Sequence, residues 1–265
     1  MKVAYIKQID VDKRWKFHKL VDVQLKDNNS IIINTRKIKN KTCIIINRII
    51  NKYNIKKVVI SKDLRENTKL LESIESIKIV KKRDILIYYI YEMIEYILKI
   101  QHIDFYNAEV FVLVNEFSKI NVENINLLAA EVKVLNIVTS NLRNFKKYEE
   151  EVFKKTGINI NVTNNKKRGL ANARIIVNID FSEDQLENYN INTNSIIINI
   201  KHSIINHKKT FARVNINSID IDFNDMDEFY SNFDALEVCQ VMDKKLPKIN
   251  GLIGERGIID ESELC

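Results

Sequence analysis

Between residues 109 and 200 short apolar runs alternate with longer mixed stretches, and the alternation is regular. The runs are Val110–Val114, Leu135–Thr139, Ile158–Val162, Arg174–Ile179 and Ser195–Ile200, dominated by β-branched residues. An apolar run of this length, bounded by polar residues, predicts a strand buried on both faces. The stretches between them read as helices over Val122–Lys133, Asn144–Lys155 and Ser182–Tyr189, with only a short helix or turn at Lys166–Ala171. Gly157 follows the second helix as a left-handed cap, and Ser182-Glu183-Asp184 opens the third. Strands alternating with helices imply a mostly parallel sheet.

The pattern before residue 109 is less regular. Lys2–Ile9 is a candidate strand, and Phe17–Leu25 meets Ile31–Thr35 across Asp27-Asn28-Asn29-Ser30, a polar turn suited to a hairpin. The first third therefore begins as antiparallel sheet. Thr42–Tyr53 has apolar residues at helical spacing, Val58–Ser61 is a short buried strand, and a helix follows over about Arg65–Ser73. Ile77–Val80 is another candidate strand. Asp84 has the place of an N-cap for a long helix to about Gln101, read as the connection between domains. After Lys201 the rhythm breaks: Arg213–Phe223 is strand or irregular, and Asp227–Met242 a helix that returns to one of the domains.

The fold class expected is α/β: an N-terminal α+β domain over 1–103, a Rossmann-like parallel-sheet domain over 104–200, and an extension over 201–265 that packs back. A Rossmann-type sheet holds its cofactor with a glycine-rich turn after the first strand. Here only five glycines occur in 265 residues, and the first is Gly157. The first strand runs instead into Glu116-Phe117-Ser118-Lys119, so the nucleotide-binding loop is degenerate. A side chain at the close-approach position blocks the backbone from a pyrophosphate. Glu116 and Glu123 flank the turn and would repel phosphates.

The strand ends expected to line the ligand crevice are Asn115, Thr139-Ser140-Asn141, Thr163-Asn164-Asn165, Asn178-Ile179-Asp180 and Asn199. These polar side chains could bond a ribose, a base or a peptide, and they also serve as ordinary helix caps. In layout, residues 109–200 resemble the cofactor domain of shikimate dehydrogenase and glutamyl-tRNA reductase. In those families the second strand ends in a polar, basic turn that discriminates the cofactor ribose. Leu135–Arg143 is similar, and the resemblance implies cofactor contacts for Ser140, Asn141 and Arg143, with Asn115 beside them. Arg168–Asp180 resembles the segment leading to the nicotinamide. The departures are the missing glycine turn, no Lys and Asp pair matching a shikimate site, and no nucleophilic cysteine in place. The whole chain also looks similar to proteins of low-GC bacteria.

Composition narrows the classes further. The formal charge of +7 with a pI near 9.1 raises nucleic-acid binding. The basic residues are spread rather than gathered on one face, and Ile, Asn and Lys are all abundant, as in an AT-rich genome. Nucleic acid is therefore disfavoured as a partner. Cys43, Cys239 and Cys265 stand far apart with no metal-site spacing, which fits a reduced, cytoplasmic protein. Ile85–Ile100 carries Glu92, Glu95 and Lys99, which argues against a membrane span.

Four further groups of residues carry candidate chemistry. Gly251, Gly254, Arg256 and Gly257 gather three of the five glycines into one short stretch, either an anion loop or a set of turns. His18, His102, His202 and His207 lack ligand spacing, and Asp220, Asp222, Asp225 and Asp227 read as an acidic helix start rather than a calcium loop. Arg14–His18 places the only Trp among cations, as a sheet anchor or a base-stacking surface. The resulting expectation is a degenerate, non-catalytic Rossmann-like protein that binds a small molecule or a protein, with no cofactor. The alternative is a divergent NAD(P)-dependent oxidoreductase.

Overall fold

The computed structural model describes residues 2–9, 20–74, 78–204, 212–222, 227–242 and 246–265. The stretch containing Arg14–His18, together with His207 and Asp225, lies outside them. Two compact units result: Met1–Lys82 with Phe223–Pro247, and Arg83–Asp222 with Lys248–Cys265.

The first unit is built on β1 (Val3–Gln8), β2 (Val21–Asp27), β3 (Ser30–Thr35), α1 (Asn40–Lys52), β4 (Lys57–Ile60), α2 (Thr68–Ser73) and β5 (Lys78–Ile79). Its sheet has the order β2-β3-β1-β4-β5. The β2–β3 hairpin forms as the turn residues demand. Asp27 accepts from the Asn29 N–H at 2.7 Å and the Ser30 hydroxyl at 2.5 Å, and the Ser30 bond holds its carboxyl below the usual range. The expectation of antiparallel sheet fails beyond this hairpin. β1 runs parallel to β3 and β4, and β4 parallel to β5. The reason lies in burial: Val3–Ile6 and most of Ser30–Thr35 are buried on both faces, whereas no residue of β2 is fully buried. β2 and β5 are the edges of the sheet.

One face of this sheet packs under α1 and α2, with Ile6, Ile33, Ile46, Ile50, Val58 and Leu70 at its centre. The other is covered by the returning segment, whose Tyr230, Phe233 and Val238 pack on Val3, Tyr5 and Val59. The single helix expected over Asp227–Met242 is two short pieces, a 3-10 turn Glu228–Asn232 and a helix Ala235–Cys239. Phe233 breaks it with extended backbone, φ −113 and ψ 166, and is buried under the sheet. Asp227 caps the first piece by accepting from the Phe229 N–H at 3.3 Å, the acidic start expected there.

The second unit contains α3 (Ile90–Ile100), β6 (Glu109–Leu113), α4 (Lys119–Glu131), β7 (Val134–Val138), α5 (Leu142–Thr156), β8 (Ile160–Thr163), β9 (Ile175–Asn178), α6 (Glu183–Leu186), β10 (Ile196–Asn199), β11 (Val214–Ile216), β12 (Ser218–Ile221) and β13 (Ile249–Ile253). The first six strands named, β6 to β11, form one parallel sheet in the order β11-β10-β9-β6-β7-β8. The chain starts in the middle, winds outward through β7 and β8, then returns beside β6 and winds outward the other way. Gly157 ends α5 at φ 73 as expected, and Ser182 opens α6 with a reciprocal capping box. β11 adds a sixth strand after the point where the sequence rhythm breaks. β12 and β13 form a separate antiparallel ribbon.

The long helix expected from Asp84 is also corrected. Lys82–Tyr89 winds as a 3-10 helix, and α3 begins only at Ile90, with Tyr89 at its N-cap position. Ile85, Leu86 and Ile87 are consecutive and all buried, which an amphipathic α-helix on a sheet face does not accommodate. Arg83 is also drawn onto strand-end carbonyls, which fixes where the winding starts.

Candidate functional site

In a sheet of this order the loops after the two central strands leave in opposite directions, and the crevice between them is the ligand position. Here those strands are β6 and β9. β6 continues through Val114 to Asn115 and Glu116, and β9 through Ile179 to Asp180. The Asp180 carboxylate reaches across the crevice and accepts the backbone N–H groups of Asn115 and Glu116, both at 2.8 Å. Backbone N–H groups at this turn are those that would face a cofactor phosphate. A fixed internal anion already occupies them.

The neighbouring polar groups are also spent on one another. Asn115 Oδ1 accepts from the Ser140 N–H at 2.8 Å and the Ser140 hydroxyl at 2.6 Å. Asn141 Nδ2 donates to the Asn115 carbonyl at 3.1 Å, and its N–H donates to Thr139 Oγ1 at 2.9 Å. Glu116 pairs with Lys201, the second residue after β10. The buried Asn121 of α4 donates to the Glu116 carbonyl at 2.8 Å. Asn115, Ser140 and Asn141 are thus brought together, while Arg143 is an exposed residue on the first turn of α5.

A second network closes the crevice on the side of β10 and β11. Asn178 Nδ2 donates to Asn199 Oδ1 at 3.1 Å, Asn199 Nδ2 to Asn217 Oδ1 at 3.3 Å, and Asn217 Nδ2 to the Ile204 carbonyl at 3.2 Å. Asn178 and Asn199 are each 1% exposed. The Arg83 guanidinium spans the same strand ends, bonding the carbonyls of Ile200, Asn199 and Asn217 and the Ser203 hydroxyl. Burial lowers its pKa. Asp180 belongs to a strand end expected to line the crevice, whereas no role was expected for Arg83 or Lys201. The available signal was position: Asp180 and Lys201 each follow a strand by two residues.

The glycine-rich segment is a turn. Gly254 to Gly257 connects Ile253 to Ile258, which pair across it, and the Gly254 N–H donates to the Gly257 carbonyl at 2.8 Å. Gly257 has φ 117. The turn lies against β11 around a cavity of about 340 Å³ that also exposes Arg213, Arg256, Glu255 and Glu263. Its mixed charge does not select an anion. A Cβ on Gly254 would sit 3.2 Å from the Asn215 carbonyl oxygen and from Ile259 Cγ1. Gly254→Ala is therefore expected to cost ~1 kcal/mol by chemical denaturation, through a small displacement of the turn from the strand.

The first unit has a different set of polar groups. Asn34, Lys7 and Ser61 end three adjacent parallel strands on one face: Asn34 pairs with Lys7, and Ser61 follows the Ile6–Ile60 pair. Neighbouring members of this row are ~5 Å apart along the sheet. Asn34 Oδ1 and Ser61 Oγ are buried without a hydrogen-bond partner, and Ser61 is 0% exposed. Buried polar atoms are nearly always satisfied, so these two are conspicuous.

Strand order and crevice define a doubly wound α/β protein of the Rossmann type. No protein-family model matches the chain, and no curated protein does. Among solved structures, L-tryptophan dehydrogenase from Nostoc punctiforme is similar over 63% of this chain and 49% of its own, at 10% identity and a TM-score of 0.34. This chain therefore spans about half the length of that enzyme. Shikimate 5-dehydrogenase from Listeria monocytogenes, solved with shikimate and NAD, is similar over 64% of this chain and 68% of its own, at 9% identity and a TM-score of 0.30. Likeness at this level carries nothing about chemistry. Among the described residues no helix is long and apolar enough to cross a membrane, and no three His, Cys, Asp or Glu side chains gather to hold a metal.

Proposed function

We propose that this chain is a non-catalytic, Rossmann-like binding protein that has lost dinucleotide binding and holds a small polar ligand on its first unit. The observation carrying this reading is the Asp180 carboxylate on the Asn115 and Glu116 N–H groups. A dinucleotide would have to displace that carboxylate and bring its own negative charge beside Asp180 and Glu116. The cost falls on binding before any chemistry begins. The alternative, an NAD(P)-dependent oxidoreductase using Ser140, Asn141 and Arg143, would need the Asn115–Ser140–Asn141 bonds broken and Arg143 turned inward.

The ligand side of the proposal rests on the row Asn34, Lys7 and Ser61. A cation between two unsatisfied polar side chains suits a small molecule carrying a carboxylate and hydroxyl groups. The three cysteines are free, consistent with a reducing compartment such as the cytoplasm. Thermal-shift titrations with NAD, NADP and a panel of small hydroxycarboxylic acids test the reading. The expected result is an unmoved midpoint with millimolar dinucleotide, and a rise with at least one hydroxy acid that Ser61→Ala abolishes. A rise with NAD or NADP that Asn141→Ala removes, or nicotinamide-dependent turnover of any substrate, would overturn it.

A further inference from the structure

The segment Asp227–Met242 lies over the open face of the first unit's sheet like a strap, and its fastenings are of three kinds. Aromatic packing comes first: Tyr5 of β1 meets Phe229, Tyr230 and Phe233 edge-on, with ring centroids 5.5–5.6 Å apart. Cations from the sheet come second. Lys26 Nζ lies 3.5 Å from the Tyr230 ring centre, 3.8 Å from that of Phe229 and 3.9 Å from the Asp227 carboxylate. Lys7 Nζ lies 4.8 Å from the Phe229 centre, and Lys62 Nζ donates to the Ser231 carbonyl at 3.2 Å.

The third fastening is different. Glu237, on the helix Ala235–Cys239, carries its carboxylate beneath the strap at 6% exposure. Arg65 Nη2 lies 2.8 Å from Glu237 Oε2, yet neither Nη2 nor Nε of that guanidinium makes a hydrogen bond. Arg65 Nη1 instead reaches Asp234 at 3.4 Å. One arginine thus faces two carboxylates, hydrogen-bonded to Asp234 and in ion-pair contact with Glu237 without the alignment of a hydrogen bond. Lys82 is a further charged group beside Glu237 among the described residues, and its backbone N–H also bonds the carboxylate. A misaligned cation compensates poorly for taking a carboxylate out of water.

We propose that Glu237 is a protonation latch for the strap, fastened while its carboxyl carries a proton and loosened when it ionises. Burial raises the Glu237 carboxyl to about 7, against the opposing pull of Arg65. With the strap lifted, the carboxyl returns to the ordinary glutamate range near 4.5. Between those values opening releases a proton, so rising pH favours opening, and the effect is complete above about 7. No histidine belongs to the described residues of this unit, so Glu237 is the group placed to titrate across this window. The strap's Phe229 and Ser231 also border Lys7 and Lys62, beside the Asn34–Lys7–Ser61 row. If the ligand reading above holds, loosening the strap uncovers that row.

The test needs no ligand, so its failure is separable from failure of the binding proposal. Hydrogen exchange of the full chain is measured at pH 5.5 and pH 8, and divided by the intrinsic exchange rate to give opening constants. Wild type is expected to open about 10- to 30-fold more readily at pH 8 over residues 229–241, with β1 and β4 unchanged. Glu237→Gln mimics the protonated carboxyl and should show the pH 5.5 opening constant at both values. A wild-type ratio near one overturns the latch. So does a Glu237→Gln variant that keeps the pH response, or an equal change in β1 and β4, which would mean the whole unit is opening. Equal melting midpoints of wild type and Glu237→Gln at pH 5.5 confirm that the variant is folded.

Discussion

Replacing Arg83 by alanine is expected to cost about 3–4 kcal/mol of stability in the second unit, read as a lower denaturant midpoint at unchanged slope. Arg83 Nε bonds the Ile200 carbonyl at 3.0 Å, Nη1 the Asn217 carbonyl at 2.9 Å, and Nη2 the Asn199 carbonyl at 2.8 Å. Removing the guanidinium leaves three strand-end carbonyls without a donor where water has little access, each costing ~1–3 kcal/mol before relaxation. Relaxation recovers part of that sum, which sets the lower figure. Arg83→Lys should recover about a third of the loss. One ammonium reaches one or two of these oxygens but cannot present the planar fork that meets all three. If Arg83→Ala unfolds within about 0.5 kcal/mol of wild type, the guanidinium is ornament and the closed crevice is held by something else.

Arg83 also illustrates what was legible in the sequence. Alternation of apolar runs located five strands of the larger sheet and the helices between them, because the inner strands β6, β9 and β10 are buried on both faces and so are mostly apolar and β-branched. The sixth strand, Val214–Ile216, was obscured: it is three residues long, and alternating Asn and Ile carry no periodicity that short. The first unit was misread for a related reason. A hairpin announces itself locally through Asp27 and Ser30, and suggests more antiparallel sheet. That β1 lies parallel beside β3 depends on non-local pairing, which leaves no local mark beyond burial on both faces.

The candidate site divides in the same way. The closeness of Asn115, Ser140 and Asn141 follows from topology, since they come just after the neighbouring strands β6 and β7. That they bond one another instead of waiting for a ligand did not follow, because asparagine serves equally as ligand contact, cap and cross-link. Asp180 is the clearest instance. In sequence it is one acidic residue in a polar loop; in the fold its two oxygens take the N–H groups of the facing strand end. The Asn34–Lys7–Ser61 row could not be read at all. Its members come from three segments, and their significance is that two lack partners.

Asn178→Ala separates these roles, and it is expected to cost about 3 kcal/mol while loosening the turn that Asp180 blocks. The Asn178 amide ties the loop after β9 to itself: Oδ1 accepts the Phe181 N–H at 2.9 Å, and Nδ2 donates to the Phe181 carbonyl at 3.0 Å and to Asn199 at 3.1 Å. Phe181 is 2% exposed, so alanine strands both of its backbone groups away from water as well as opening a small cavity. Asp180 lies between these anchors, and its hold on Asn115 and Glu116 depends on the loop being fixed. Exchange protection of those two amides should therefore fall more than protection of Val112, within the same strand. Equal loss at all three would assign Asn178 to global stability alone. Selective loss would identify the buried asparagine as the positioning residue for the internal anion, and so for keeping a dinucleotide out.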